Sequence, residues 1–274
     1  FLGKQNILNL LRQSSIIGII SAGMTFVIIS GNFDISVGAV AALAGAITMK
    51  FATGGTNLFA SMLLGVAICA VIGLINGIVV AKINVPSLIA TMAMVTIVRG
   101  LLLMLTGGYP ITENIPILDY IGNGYLFSIP IPVVIFFIVV LASFIVLNKT
   151  KFGRYVYSVG GNQEASKLNG INVDSHKVKV FIINAVLAGI AGIVLTGRLG
   201  TATAIAGEGY DMDAIASVVI GGTSVAGGSG SVLKTVIGVL LMSVINNSFN
   251  LLGIDVYFQY IFKGLIILAA VGFD

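Results

Sequence analysis

The sequence has 274 residues, 57% of them hydrophobic and 9% charged, with a mean hydropathy of +1.10. Soluble domains carry about 25% charged residues, so a surface this poor in charge must face lipid or other protein rather than water. One cysteine and one histidine, Cys69 and His176, exclude a disulfide framework, ordinary zinc centres and a Cys–His nucleophile. The formal charge of +4 carries information only through its placement, and no nucleic-acid partner is expected.

Crossing roughly 30 Å of hydrocarbon takes about 20 apolar residues. Runs of that length occupy 8–30, 58–81, 86–106, 129–147, 178–197, 232–252 and 256–272, and two shorter runs occupy 35–49 and 212–226. Punctuation separates them: Gly54-Gly55, Pro86, Gly107-Gly108 with Pro110, Pro130 and Pro132, Gly221-Gly222 and Gly227-Gly228. The runs are continuous rather than alternating, which excludes barrel strands. The pattern predicts an all-α, polytopic membrane helical bundle of about nine membrane segments, a single domain over 1–274. Gly at 35 of 274 suits close helix crossings in a bilayer, as do Gly73-x-x-x-Gly77, Ala41-x-x-x-Gly45 and Gly38-x-x-x-Ala42.

Loop cations set the orientation. Lys149, Lys151, Arg154, Lys167, Lys177 and Lys179 crowd the stretch between Asn148 and Lys179, against Glu164 and Asp174, so loop 148–178 is placed in the cytoplasm. Threading outward puts Lys82 and the Ser229–Lys234 turn inside, and Glu113, Asp119, Glu208, Asp211, Asp213 and Asp255 toward the outside. Phe1 is then outside and Asp274 inside, and a further helix is expected before Phe1.

The two short runs open alike, on Phe33-Asp34-Ile35-Ser36-Val37 and on Tyr210-Asp211-Met212-Asp213-Ala214. Further on, Leu74-Ile75-Asn76 leading to Ile83-Asn84-Val85 matches Val244-Ile245-Asn246 leading to Ile254-Asp255-Val256. An odd number of crossings separates the copies, so they form an inverted internal repeat. Such repeats with short, glycine-interrupted helices are built around translocation paths.

No Gly-x-x-x-x-Gly-Lys-Ser/Thr loop is present to cradle phosphate, and no catalytic, cofactor or metal set emerges. Polar groups inside apolar runs are costly and point to function by default. Asn32, Asp34, Asp211, Asn246 and Asn247 are the candidates for the path. Arg99 and Lys263 also interrupt apolar runs. Each has a structural alternative: Asp34 as a helix cap, Arg99 and Lys263 pairing with an acid, Asn246 joining helices.

In the cytoplasmic loop, Asn162 is a good N-cap with Glu164 in the first turn, and Gly170 supplies a left-handed stop. A short helix held between two glycine breaks, on a loop fixed at both ends by membrane helices, is shaped as a docking knob. Its candidate contact residues are Gly161, Asn162, Glu164, Ala165, Ser166 and Gly170.

The knob sequence Glu164-Ala165-Ser166, three residues, Gly170 resembles the Glu-Ala-Ala-x-x-x-Gly loop of ATP-binding-cassette importer permeases. Gly31-Asn32-Phe33-Asp34-Ile35-Ser36-Val37-Gly38 resembles the Gly-x-Asp-Leu-Ser-Val-Gly stretch of the ribose-type (monosaccharide) permeases. So do Gly153-Arg154-Tyr155, Gly160-Gly161-Asn162, Leu168-Asn169-Gly170-Ile171-Asn172-Val173, Gly209 to Ala216, Val219 to Gly228, and Asn246-Asn247 to Gly253, in order along the chain. The resemblance implies a permease subunit of an importer in the bacterial inner membrane, surrounded by lipid and translocating a ribose-like sugar. It also implies cytosolic ATP-binding cassette subunits as the site of ATP hydrolysis, an external sugar-binding protein, and a second permease copy in a homodimer or heterodimer. Two alternatives stay open: an ion-coupled secondary transporter, for which Asp34 is the one candidate carboxylate relay, and a related permease for branched-chain amino acids.

Overall fold

The computed structural model describes residues 3–272; the placements expected for Phe1 and Asp274 fall outside them. The chain folds as helices α1 (Lys4–Ile29), α2 (Val37–Thr53), α3 (Leu58–Ala81), α4 (Ser87–Thr106), α5 (Pro116–Asn123), α6 (Ile131–Lys149), α7 (Lys151–Gly161), α8 (Gln163–Leu168), α9 (Val173–Leu199), α10 (Tyr210–Ile220), α11 (Val232–Leu251) and α12 (Val256–Gly272). Two small antiparallel ladders join β1 (Ile111–Thr112) to β4 (Thr201–Ala202) and β2 (Tyr125–Leu126) to β3 (Ile129–Pro130). Boundaries follow local chemistry. The Asn57 side chain accepts from the Phe59 and Ala60 amides to start α3, α4 follows Pro86, and α4 and α9 end on left-handed Gly107 and Gly200.

Among the described residues six helices are long and apolar enough to cross a membrane: α1, α3, α4, α6, α9 and α11. The apolar helices α2 and α12 are shorter. The 11-residue α10 spans only about 16 Å, half a bilayer, and its middle is buried. The run expected over 212–226 therefore ends early, because the chain leaves the helix at Gly221 and turns on Gly222 at φ 80°. The helices α5 and α7 were not expected; both are short and amphipathic, lying beside the spans rather than crossing.

Burial is distributed as lipid demands. The central helix α1 is buried along most of its length, whereas Leu63, Ile89, Phe137 and Phe258 on α3, α4, α6 and α12 face outward. With apolar residues on both sides of the fold, packing and not water exclusion selects the contacts, and small residues let backbones meet. A Cβ on Gly73 would sit 2.6 Å from the Phe181 carbonyl oxygen, and one on Gly77 2.6 Å from the Val178 Cα, so the α3–α9 crossing needs both glycines.

The packing pattern is that of an inverted repeat pairing α1 with α9, α2 with α10, α3 with α11 and α4 with α12. Four contacts recur in both halves: α2 on α9 and α10 on α1, α3 on α9 and α11 on α1, α2 on α3 and α10 on α11, α2 on α4 and α10 on α12; α3 also packs on α4. Threading alternates accordingly. The end of α1 reaches α7 and the 226–230 turn, where the Gly228 amide donates to the Ile29 carbonyl at 2.8 Å. The end of α9 reaches the opposite pole, where Asn123 donates to the Gly197 and Arg198 carbonyls.

Lys149, Lys151, Arg154, Lys167, Lys177 and Lys179 cluster around the first pole, and Glu113 and Asp119 lie at the second. Of the cations near the second pole, Arg12 is withdrawn from solvent: its guanidinium donates to the Asn123 carbonyl and stacks 4.8 Å over the Tyr125 ring.

Candidate functional site

Two irregular segments enter the bundle from opposite poles. After α1 the chain turns at Gly31 and runs back through 32–36 before α2 starts; after α9 the segment 203–209 runs back before α10 starts. They meet in the interior. A Cβ on Gly38 would lie 2.3 Å from the Gly207 carbonyl oxygen, so the first turn of α2 touches the segment leading into α10 through backbone alone. Two helix N-termini, each the positive end of its dipole, thus converge near the centre of the bundle.

Non-helical backbone at this depth must be satisfied by protein, and the side chains of the first segment do that. Asp34 is buried; one oxygen accepts the Ser36 amide at 2.9 Å and the Ser36 hydroxyl at 2.5 Å, the other accepts from Asn184 of α9 at 2.9 Å. Asn76 of α3 donates to the Ser36 hydroxyl at 3.1 Å, which ties α2, α3 and α9 to one carboxylate. Asn32 is also buried and donates back to the Ser30 carbonyl and hydroxyl. Asp34 is therefore no side-chain cap of α2, which starts on Ser36; it fixes the turn before the helix through Ser36 and bridges to α9 through Asn184.

The second segment and the start of α10 are held by cations. Arg99, from the middle of α4, donates through Nη1 to the carbonyls of Ala204 and Ala206 and faces Glu208 and Asp211. Lys263 of α12 forms an ion pair with Asp213 at 2.8 Å. The pairing of intramembrane cations with acids or carbonyls follows from the cost of leaving them bare in hydrocarbon.

A cavity of about 580 Å³ opens between these elements, lined in part by Ile35, Gly38, Arg99, Glu208, Asp211 and Tyr260. Of the five residues expected on the path, Asp211 is in its wall. Asn32 and Asp34 lie behind it, holding the segment that precedes α2. Asn246 and Asn247 are on α11, where Asn247 donates to Asn6 at 3.0 Å and the side-chain oxygens of Asn246 and Asn247 have no hydrogen-bond partner among the described residues. Glu208 and Tyr260 were not anticipated. Both had a signal: Glu208 stands just before the repeated aromatic-Asp pair, and Tyr260 lies three residues before Lys263, on the same helical face.

At the basic pole, Thr150 caps α7 through the Gly153 amide at 3.2 Å. The Tyr157 hydroxyl donates to the Gly230 carbonyl at 2.9 Å, and burial pushes this phenol up, keeping it a donor. The chain breaks at Asn162, whose side chain accepts the Ala165 amide at 2.9 Å, and α8 follows for six residues until Gly170 at φ 76°. Asn172 then caps α9 through the Ser175 amide at 3.0 Å.

The short helix expected between Asn162 and Gly170 is therefore present, capped at its start by Asn162 and stopped at Gly170. Gly161, Asn162, Glu164, Ala165 and Gly170 are exposed on it and Leu168 projects at 90% exposure. Ser166 differs: it is buried, its hydroxyl 2.8 Å from that of Ser158, and it seats α8 on α7.

Comparison with known proteins adds a family to this geometry. A ribose import permease protein of Haemophilus influenzae is 44% identical over 275 residues, covering 99% of this chain and 85% of the relative. Its Bacillus subtilis namesake is 43% identical over 277 residues, covering 100% and 86%. A D-allose transport system permease protein of Escherichia coli is 37% identical over 276 residues, covering 100% and 84%. No solved structure matches the chain. The family model described as branched-chain amino acid transport system / permease component matches residues 6–271, and the chain belongs to that family of transport permeases.

Proposed function

We propose that this chain is the membrane-spanning subunit of an ATP-driven importer of a ribose-like monosaccharide in the bacterial inner membrane. The observation that carries the reading is similarity along the whole chain to ribose import permease proteins from several bacteria. The interior agrees with it. A neutral sugar needs acceptors, donors and an apolar face for its ring, and Glu208, Asp211 and Tyr260 offer these in one cavity. Affinity is left to an external sugar-binding protein, ATP hydrolysis to cytosolic cassette subunits that grip α8, and the path is completed by a second permease copy.

The test is reconstitution of the permease in lipid with its cassette subunits and binding protein. Ribose-loaded binding protein should raise ATP hydrolysis and drive uptake of labelled ribose; hydrolysis unmoved by any pentose or hexose would sink the sugar assignment.

One observation favours an amino acid instead: converging helix N-termini suit a ligand carboxylate. Leucine and valine therefore belong in the same assay as competitors, and stimulation by them with none by sugars would reverse the choice. Ion coupling loses its ground, because Asp34 is engaged by Ser36 and Asn184 and Asp213 by Lys263.

A further inference from the structure

Five carbonyls of segment 203–209 fall into two sets, while that of Gly209 accepts from the Asp213 amide inside α10. Those of Thr203, Ile205 and Gly207 accept from the amides of Ala206, Glu208 and Tyr210, each at 3.2 Å. Those of Ala204 and Ala206 point the other way and accept from Arg99. One guanidinium thus satisfies two carbonyls of an intramembrane turn that the backbone leaves open. That role suits arginine, with its permanent charge and forked donors, better than any other side chain. Segment 203–209 is otherwise pinned on α2 by the Gly38–Gly207 contact and carries Ile205 at its tip, 73% exposed. The helix α4 is a peripheral one, packed on α2 and α3 and exposed along Leu88, Ile89, Met92, Ile97 and Met104.

We propose that Arg99 is a positioning residue that clasps segment 203–209 to α4, so that a shift of α4 repositions the cavity wall formed by Glu208 and Asp211. The inference rests on the transport reading for its consequence, but the clasp itself can be measured without transport. Loss of two charge-assisted hydrogen bonds shifts the balance from clasped to released loop by about tenfold or more. Lysine keeps the charge and supplies donors from a single point, so Arg99→Lys retains part of the grip.

The experiment places a nitroxide on Ile205→Cys in a Cys69→Ala chain, reconstituted in lipid, with a second label at the exposed Phe127→Cys as a control. The spectrum at 205 should be immobilised with Arg99 present, gain a mobile component in Arg99→Ala, and lie between the two in Arg99→Lys, while the label at 127 stays constant. An unchanged spectrum at 205 in both variants would overturn the clasp. Uptake, measured separately with the partner subunits, distinguishes the two readings: a released loop with parental uptake keeps the clasp and removes segment 203–209 from the path.

Discussion

Asp213 and Lys263 are joined at 2.8 Å across α10 and α12, with side-chain exposures of 5% and 19%. Removing one partner of a buried pair strands the other charge, which costs about 3–5 kcal/mol. Lys263→Ala should therefore lower the thermal midpoint of the purified permease markedly, whereas Lys263→Gln combined with Asp213→Asn should recover most of the loss through an amide–amide hydrogen bond. A double variant no more stable than Lys263→Ala would show that the pair does not hold α12 in place.

The carboxylate of Asp34 is an acceptor on both oxygens, and this makes an otherwise conservative change damaging. In Asp34→Asn one oxygen becomes an NH₂ group, which would face either Ser36 or the Asn184 amide donor. A stability loss of about 1–3 kcal/mol is expected, together with reduced uptake and normal membrane insertion. Adding Asn184→Asp restores a donor–acceptor match between the two positions and should restore both readouts in part. Failure of the exchange to rescue either one would mean that the carboxylate acts at position 34 itself, on the solute.

Much of this architecture was legible because intramembrane positions tolerate so few residue types. Apolar length located the long spans, and the repeated aromatic-Asp pair located the starts of α2 and α10, since both helices begin where irregular backbone enters the bundle. The early end of α10 was hidden because Thr223-Ser224-Val225-Ala226 after the Gly221-Gly222 turn is still apolar enough to pass for helix. The helix α7 was hidden for the opposite reason, as its cations read as loop. Segment 203–209 gave no signal of its own: its irregular backbone depends on Arg99, 105 positions earlier, and pairing at that range follows only from the fold. The burial of Ser166 was equally illegible, because its partner Ser158 sits on the unforeseen α7.

The orientation is tested by cysteine chemistry in a Cys69→Ala chain. Glu113→Cys is exposed at the acidic pole and should react with a membrane-impermeant maleimide in intact cells, while Lys167→Cys at the basic pole should react only after the membrane is permeabilised. Labelling of position 167 in sealed cells would invert the topology and detach the knob from any cytosolic partner.

Coupling to the ATP-hydrolysing subunits should run through α8. Its exposed face carries Glu164, Ala165, Lys167 and Leu168, while Ser166 and the Lys177–Gln163 hydrogen bond at 2.9 Å seat it on α7 and α9. A force applied to α8 is thereby passed to α9, the helix that holds Asp34 through Asn184. Ala165→Trp adds bulk to the outer face without touching Ser166, so it should block docking and leave the fold intact. Leu168→Asp removes the most exposed apolar side chain of the knob and should weaken docking through lost apolar contact. Gly170→Val acts differently: a β-branched residue at φ 76° is strained and should disturb the turn into α9. Ala165→Trp and Leu168→Asp should keep the parental melting temperature while uptake and substrate-stimulated ATP hydrolysis fall together, whereas Gly170→Val should lower all three. Binding of the external sugar-binding protein, at the opposite pole, should be unchanged in the first two. Parental coupling in both would make α8 a plain connector, and the transmission of ATP-driven movement would have to be sought in the other turns of the basic pole, beginning with 226–230 where it meets Ile29.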